Sequence, residues 1–247
     1  MIATPLPDAR ALYDVVGVTW PAFACTRAGP WTLRDGRGGG KRTSAATAEA
    51  SAQPSDLPTA EAAMRALGEV PRFMIRGGDE ALDALLEAAG YTIVDPVNMY
   101  VAALEGLDMA PPAPTASFHL WEPLAIQREI WADGGIGPER IAVMMRAAGP
   151  KTALLGRDAG HAAATAFAAI HAGIAMVHAL EVLPDHRRRG IARTLMAEAA
   201  IWARGQGARY LAVICTAGNT GANALYTGMG MTMIGRYHYR QHPQGDA

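Results

Sequence analysis

Val177-His-Ala-Leu-Glu-Val-Leu-Pro-Asp-His-Arg-Arg-Arg-Gly190-Ile-Ala192 reads as a strand that runs through a short basic loop into the first turn of a helix. A helix starting at Gly190 leaves several backbone N–H groups without intrahelical acceptors, with the positive end of its dipole behind them. Such a terminus suits a pyrophosphate, and Arg187, Arg188 and Arg189 add charge beside it. Before the loop, residues 174–184 are mostly apolar and closed by a proline, as in a strand with both faces covered. After it, Ile191, Leu195, Ala199 and Trp202 recur at roughly helical spacing, and Gly205 and Gly207 supply a stop. Residues 210–216 read as a second strand, which completes a βαβ unit with an anion loop at its first turn.

The spacing of Arg187, Gly190 and Ala192 resembles the coenzyme A loop of the GNAT acetyltransferases. Further along, Asn219, Ala222, Leu225, Tyr226 and Gly230 match the family's next helix, while Met231 stands where an aromatic is commoner. The resemblance implies an α/β (α+β) fold with a central mixed sheet and helices on both faces, and acetyl-CoA as co-substrate without a metal. It implies that the backbone of Leu180 and Val182 bonds the pantetheine arm, lying in a gap between two splayed strands, with the Val182 N–H also near the thioester carbonyl. Arg187, Arg188, Arg189, Gly190, Ile191 and Ala192 would then hold the pyrophosphate. Asn219 would bond the cofactor or cap the helix that follows it. Tyr226, at the family's Leu-Tyr position, would protonate the departing thiolate, its alternative being a core aromatic.

Acetyl transfer to an amine also calls for a base. Strand alternation puts Met176, His178, Leu180 and Val182 on one face and Glu181 on the other. Serotonin-type members of the family place a His at the position of His178, and the histone-type enzymes use a Glu where this chain has Met176. His178 is the first candidate base, a buried structural histidine being the alternative reading, and Glu181 is the reserve. His171 could reach the same cleft or cap its turn, and a water chain to a remote group would serve without a local base.

The 247-residue chain has a net charge of −1, which gives no broad attraction for nucleic acid or anionic lipid. Its two cysteines, Cys25 and Cys215, lack metal-type spacing and argue for a reducing, cytoplasmic compartment, with Cys215 packed inside a strand. The start, Met-Ile-Ala-Thr-Pro-Leu-Pro-Asp, has no basic region or apolar stretch of a secretion signal. Residues 162–180 contain no Lys, Arg, Asp or Glu, but they are alanine-rich, with a His-Ala-Gly turn at 171–173. Two short buried strands joined by a hairpin are expected there rather than a membrane helix.

Residues 105–117 are rich in proline and small residues and read as a linker. The expected division is 1–105, linker 106–117 and catalytic half 118–247. In the catalytic half the pattern predicts a strand near 118–121, helices within 124–148, strands at 151–157, 162–171 and 174–184, then the cofactor helix and the strand at 210–216. The Asn219 helix and a last strand pair near 232–241 complete it. Leu85-Leu86-Glu-Ala-Ala-Gly90-Tyr91 lies over Leu225-Tyr226-Thr-Gly-Met-Gly230-Met231 at an offset of 140, with Asp79 over Asn219. Leu86 replaces Tyr226 and no Arg-rich glycine loop precedes it, so the first half reads as a degenerate GNAT-like copy without a cofactor site. Trp20-Pro21, Gly29-Pro-Trp31-Thr-Leu-Arg34 and Gly38-Gly-Gly-Lys41-Arg42-Thr-Ser44 resemble the N-terminal parts of two-lobed bacterial acetyltransferases. Asp35 and Arg42 occupy the positions a nucleotide-binding loop would need for Gly and Ser or Thr, so the Gly38 run reads as a hairpin turn or an acceptor wall.

The resulting expectation is an acetyl-CoA-dependent N-acetyltransferase acting on the primary amine of a small molecule, with no nucleic acid or membrane partner. An idle acyl-CoA-binding sensor and a protein N-terminal acetyltransferase are the alternatives. The sequence sets no oligomeric state.

Overall fold

The computed structural model describes residues 5–107 and 109–243. Residues 1–4 and Asp108, on which parts of the expectations about the start and the proline-rich stretch rest, lie outside the described residues. In chain order the elements are α1 (Ala9–Thr19), β1 (Ala24–Ala28), β2 (Trp31–Asp35), α2 (Lys41–Ser44), β3 (Thr47–Ala48), α3 (Leu57–Ala66), β4 (Arg72–Ile75), α4 (Glu80–Ala88) and β5 (Thr92–Ala103). They continue with β6 (Ser117–Leu120), α5 (Ala125–Asp133), α6 (Pro138–Arg146), β7 (Lys151–Asp158), β8 (His161–His171) and β9 (Ile174–Val182). The last are α7 (Ile191–Gly205), β10 (Tyr210–Thr216), α8 (Thr220–Gly228) and β11 (Thr232–Gln241).

The chain divides into two compact units, neither continuous in sequence. The first takes residues up to Trp20, Met99–Cys215 and Asn219–Ile234; the second takes Pro21–Asn98, Thr216–Gly218 and the described residues from Gly235.

In the first unit the strand order is β5-β10-β9-β8-β7-β6. β6, β7, β8 and β9 pair antiparallel while β9 and β10 pair parallel, so the sheet is mixed. The turn between β8 and β9 is made by Ala172 and Gly173, both at positive φ. The charge-free stretch is therefore a pair of strands, and no helix among the described residues is long and apolar enough to cross a membrane. One face of the sheet carries Ala164, Ala166, Ala168, Ala175 and Val177 against Leu195, Ala199 and Trp202 of α7. Gly156 lets α7 approach β7, since a Cβ there would stand 3.0 Å from Ile191 Cγ2. The other face carries Ala153, Phe167 and Ala169 against Trp20, Trp131, Ile141 and Met144, next to α1, α5 and α6.

The second unit holds the β1-β2-β3 sheet and the order β4-β11-β5. Its core joins Trp31, Leu57, Ala60, Met64, Phe73, Leu82, Leu86 and Tyr91. The internal repeat is visible in the element bounds, Glu80–Ala88 against Thr220–Gly228 and Thr92 against Thr232, an offset of 140 in each case.

One expectation needs correction. Residues 232–241 form one strand rather than a pair, because Met233-Ile-Gly-Arg-Tyr237 offers no two-residue turn and the buried Tyr239 and Arg240 lie on a single ladder against β4. The Gly38 run lies in the connection between the antiparallel β2 and β3, where Gly38 and Gly40 adopt positive φ and Lys41–Ser44 close a helical turn before β3.

Candidate functional site

β9 and β10 are in register from Ile174–Tyr210 to Val177–Val213 and pair no further, although both strands continue. Beyond Val177 the edge of β9 toward β10 is therefore open. Leu183 N–H donates to the Ala163 carbonyl on β8 at 2.9 Å. Alternate residues of an antiparallel strand send their N–H and C=O to opposite edges, so those of Val182 and Leu180 face the gap. The Val182 carbonyl does accept there, from Arg187 Nε at 3.0 Å.

The alternation expected along β9 fails at Ala179, which has φ +50. Phe167 pairs with His178 and Thr165 with Glu181, so Ala179 and Leu180 together oppose Ala166 in a β-bulge. The extra residue reverses the parity of everything after it. Leu180 and Val182 pack on the α7 side, whereas Glu181 shares the face of His178 and Met176. The expectation that His178, Leu180 and Val182 share a face is thereby overturned, since a one-residue insertion moves side chains across the sheet.

The loop after β9 is a short 3-10 turn (Pro184–His186) followed by Arg187 to Arg189. Arg188 sits at φ +63, and Gly190 takes the N-cap of α7 at φ +81 with no side-chain cap. The first N–H groups of α7, including those of Ile191 and Ala192, thus have no intrahelical acceptor. Ile191 is buried and anchors the helix start, leaving its backbone at the surface end. Arg187 Nη2 also donates to Glu181 Oε1 at 3.2 Å. Arg189 Nη1 and His186 Nδ1 both meet Asp158 Oδ2 at 2.8 Å. The hydrogen bond from His186, with the charge and hydrogen bond of Arg189, holds the Asp158 carboxyl below its ordinary range.

On the α1 side, His178 is buried, with Trp20 and Phe167 rings at centroid distances of 5.0 and 6.1 Å. Its Nε2 lies 2.9 Å from Thr19 Oγ1. On the α7 side, Tyr226 is buried, and its ring lies 5.7 Å from that of Tyr100. Burial, then the neighbouring Cys215 and Tyr100, push its phenol well above the ordinary tyrosine value. Burial likewise pushes the Cys215 thiol up to about 11. Tyr100 Oη donates to Asn223 Oδ1 at 2.8 Å, Asn223 Nδ2 donates to the Asn219 carbonyl at 2.7 Å, and Asn219 Oδ1 accepts from the Ala222 N–H at 3.0 Å, capping α8.

The arrangement brings an open strand edge, an uncapped helix terminus and a basic loop together on one side of β9, with Tyr226 on one face of the sheet and His178 and Glu181 on the other. Sequence reasoning missed Thr19, Trp131, Gly134 and Asp158, which meet β9 and its loop from other elements, and the bulge residue Ala179 within β9 itself. Only Asp158 carried any signal, as a carboxylate just before the Ala159-Gly160 turn.

Residues 120–231 match the pattern of the Acetyltransferase (GNAT) family. No curated protein matches the chain by sequence. Among solved structures, the chain is similar to a GCN5-related N-acetyltransferase from Kribbella flavida, with 22% identity and a TM-score of 0.66 over 96% of this chain and 95% of that one. It is similar to a functionally unknown conserved protein from Staphylococcus epidermidis, with 10% identity and a TM-score of 0.66 over 93% and 96%. It is also similar to a tandem GNAT protein from the clavulanic acid biosynthesis pathway, with 11% identity and a TM-score of 0.62 over 97% and 90%. At these identities the likeness is one of fold.

Proposed function

We propose, from the match of residues 120–231 to the GNAT acetyltransferase family, that the chain transfers the acetyl group of acetyl-CoA directly to the primary amine of a small molecule. The observation that carries the proposal is the parting of β9 and β10 after Val177 and Val213, beside the uncapped terminus of α7. An extended amide-bearing arm fits the open edge of β9 as an added strand, and a diphosphate fits the helix terminus. The residues present therefore suit an acyl-CoA.

Bound acetyl-CoA supplies a thioester carbonyl and a thiolate leaving group. Leu180 and Val182 would hold the arm through their gap-facing backbone groups, and Arg187 would exchange its bond to the Val182 carbonyl for the diphosphate. Arg188, Arg189, Gly190, Ile191 and Ala192 would complete the anion site, with Asn219 ordering α8 beside it.

The bulge separates the two proton transfers. His178 would take the proton of the attacking amine on one face, with Glu181 on the same face as the second acceptor, while Tyr226 returns a proton to sulfur on the other. A phenol raised by burial stays protonated near neutrality, as a proton donor must. In this reading residues 118–247 carry the chemistry and residues 1–105 are a degenerate GNAT-like copy. The free Cys25 and Cys215 suit a reducing, cytoplasmic setting.

Calorimetric titration with acetyl-CoA, followed by a turnover assay against a panel of small primary amines and N-terminal peptides, tests the proposal. Binding near one equivalent with turnover of a small amine is expected, weakened in Arg187→Ala/Arg189→Ala. Absence of acetyl-CoA binding overturns it; binding without turnover would favour a sensor, and turnover of peptides alone a protein N-terminal acetyltransferase.

A further inference from the structure

We propose that Trp131 is a positioning residue for acyl transfer, holding the bulge of β9 in the form that assigns its side chains to opposite faces. The proposal rests on the acyl-transfer reading above.

Ala179 adopts φ +50, a backbone region that residues with a Cβ disfavour and that persists only where surrounding contacts over-determine it. The contact is at hand. The Trp131 side chain is wholly buried, and its indole N–H donates to the Ala179 carbonyl at 2.7 Å. Trp131 sits in the last turn of α5, and Gly134 follows that helix directly. A Cβ on Gly134 would lie 2.5 Å from Glu181 Cγ. One turn of chain therefore pins the bulge through Trp131 and leaves room, at Gly134, for the carboxylate residue that the bulge turns toward it.

Much follows from that single hydrogen bond. If Ala179 relaxed into regular strand, the parity after it would revert: Glu181 would move to the α7 face and the N–H and C=O of Val182 would turn from the gap toward β8. Loss of the brace should therefore damage turnover and loosen the hold on the pantetheine arm together, and a residue that tolerates positive φ at 179 should restore both, whereas a tryptophan that only filled space would cost stability that no change at 179 returns.

Trp131→Phe keeps an aromatic ring and removes the donor. The expected result is a fall in kcat of about tenfold or more together with a raised KM for acetyl-CoA. Glycine holds a positive φ without help, so Ala179→Gly should restore most of the lost rate in the Trp131→Phe background and alter the parent by less than about twofold. A Trp131→Phe enzyme with the parent's kcat, or a loss that Ala179→Gly leaves unrepaired, overturns the proposal. Should Trp131→Phe not fold, the parent decides: its Trp131 indole proton must exchange with solvent far more slowly than an exposed indole, and rapid exchange overturns the brace. A parent that binds no acetyl-CoA defeats the acyl-transfer reading instead, while the indole measurement still judges the brace.

Discussion

The Thr19 hydroxyl stands 2.9 Å from His178 Nε2 while donating to the Val15 carbonyl at 2.7 Å. Its single proton is thereby committed to Val15, so the imidazole must be the donor in the pair. A neutral ring in that arrangement would carry its proton on Nε2. For a base on the acceptor side, that tautomer is set from α1, an element far from β9 in sequence.

His178→Gln is therefore expected to lower kcat by about a hundredfold and to remove the acid limb of the pH–rate profile. Thr19→Val should cost about 1–3 kcal/mol of stability, because the Nε2–H is left without that acceptor in a buried site. Urea unfolding at neutral pH measures the second, and steady-state rates between pH 5 and 9 measure the first. A His178→Gln enzyme with the parent's profile would show that His178 only packs.

Tyr226 faces the other side of the sheet, with its phenol raised by burial. Tyr226→Phe should reduce kcat by about tenfold to a hundredfold and leave the Kd for acetyl-CoA within about twofold. Comparing single-turnover rates with calorimetric affinity tests this, and an unchanged rate removes Tyr226 from the chemistry.

Substitutions at Gly190 test the proposed anion site by separating backbone strain from access to the α7 N–H groups. It stands at φ +81 with nothing within 4 Å of an added Cβ, so only backbone strain opposes substitution. Gly190→Ala should lower stability by about 1–2 kcal/mol. Gly190→Asn should be better tolerated, since Asn visits that region and caps helices. Its side chain would, however, occupy the N–H groups that the proposal assigns to phosphate. Asn is thus expected to give the more stable protein and the weaker acetyl-CoA binder of the two, read from melting temperatures with and without the ligand. The opposite order would argue against phosphate at this terminus.

In the second unit, Asp83 Oδ1 accepts from Arg240 Nε at 2.6 Å and meets His238 Nε2 at 3.0 Å, which ties α4 to β11. Burial raises the Asp83 carboxyl, but the hydrogen bonds from Arg240 and His238 outweigh it and hold the group below its ordinary value. A depressed carboxyl stabilises the folded state above its unfolded pKa and loses that contribution as the pH falls through its folded pKa. Asp83→Asn should therefore destabilise by about 2 kcal/mol at pH 7, less than a wholly unpaired buried charge because Arg240 also meets Glu87 and the Tyr91 carbonyl. The difference from the parent should vanish once the pH has fallen below that depressed pKa, where the parent carboxyl is protonated as well. Thermal melts across that range give the comparison, and a difference independent of pH would count against the ion pair.

Local pattern carried much of this. The run from Val177 to Ala192, the helical spacing of Ile191, Leu195, Ala199 and Trp202, and the strand at Tyr210–Thr216 were legible because each depends on neighbours within one or two turns of chain. The 140-residue repeat was legible for the same reason, α4 and α8 being the same local signal written twice. What the order of residues could not convey was the bulge. Nothing in an alanine announces φ +50, and strict alternation is the default for any strand.

By itself, then, the sequence determined the elements from Val177 to Thr216 and the likeness of residues 120–231 to the GNAT family, since periodicity and glycine placement act locally. Tertiary structure alone decided which face each β9 side chain occupies, that Thr19 meets His178 Nε2, and that β11 lies beside β4. Those outcomes depend on partners distant in the chain, Trp131 for Ala179, Thr19 for His178 and Asp83 for Arg240, whose contacts exist only once packing has brought them within hydrogen-bond reach.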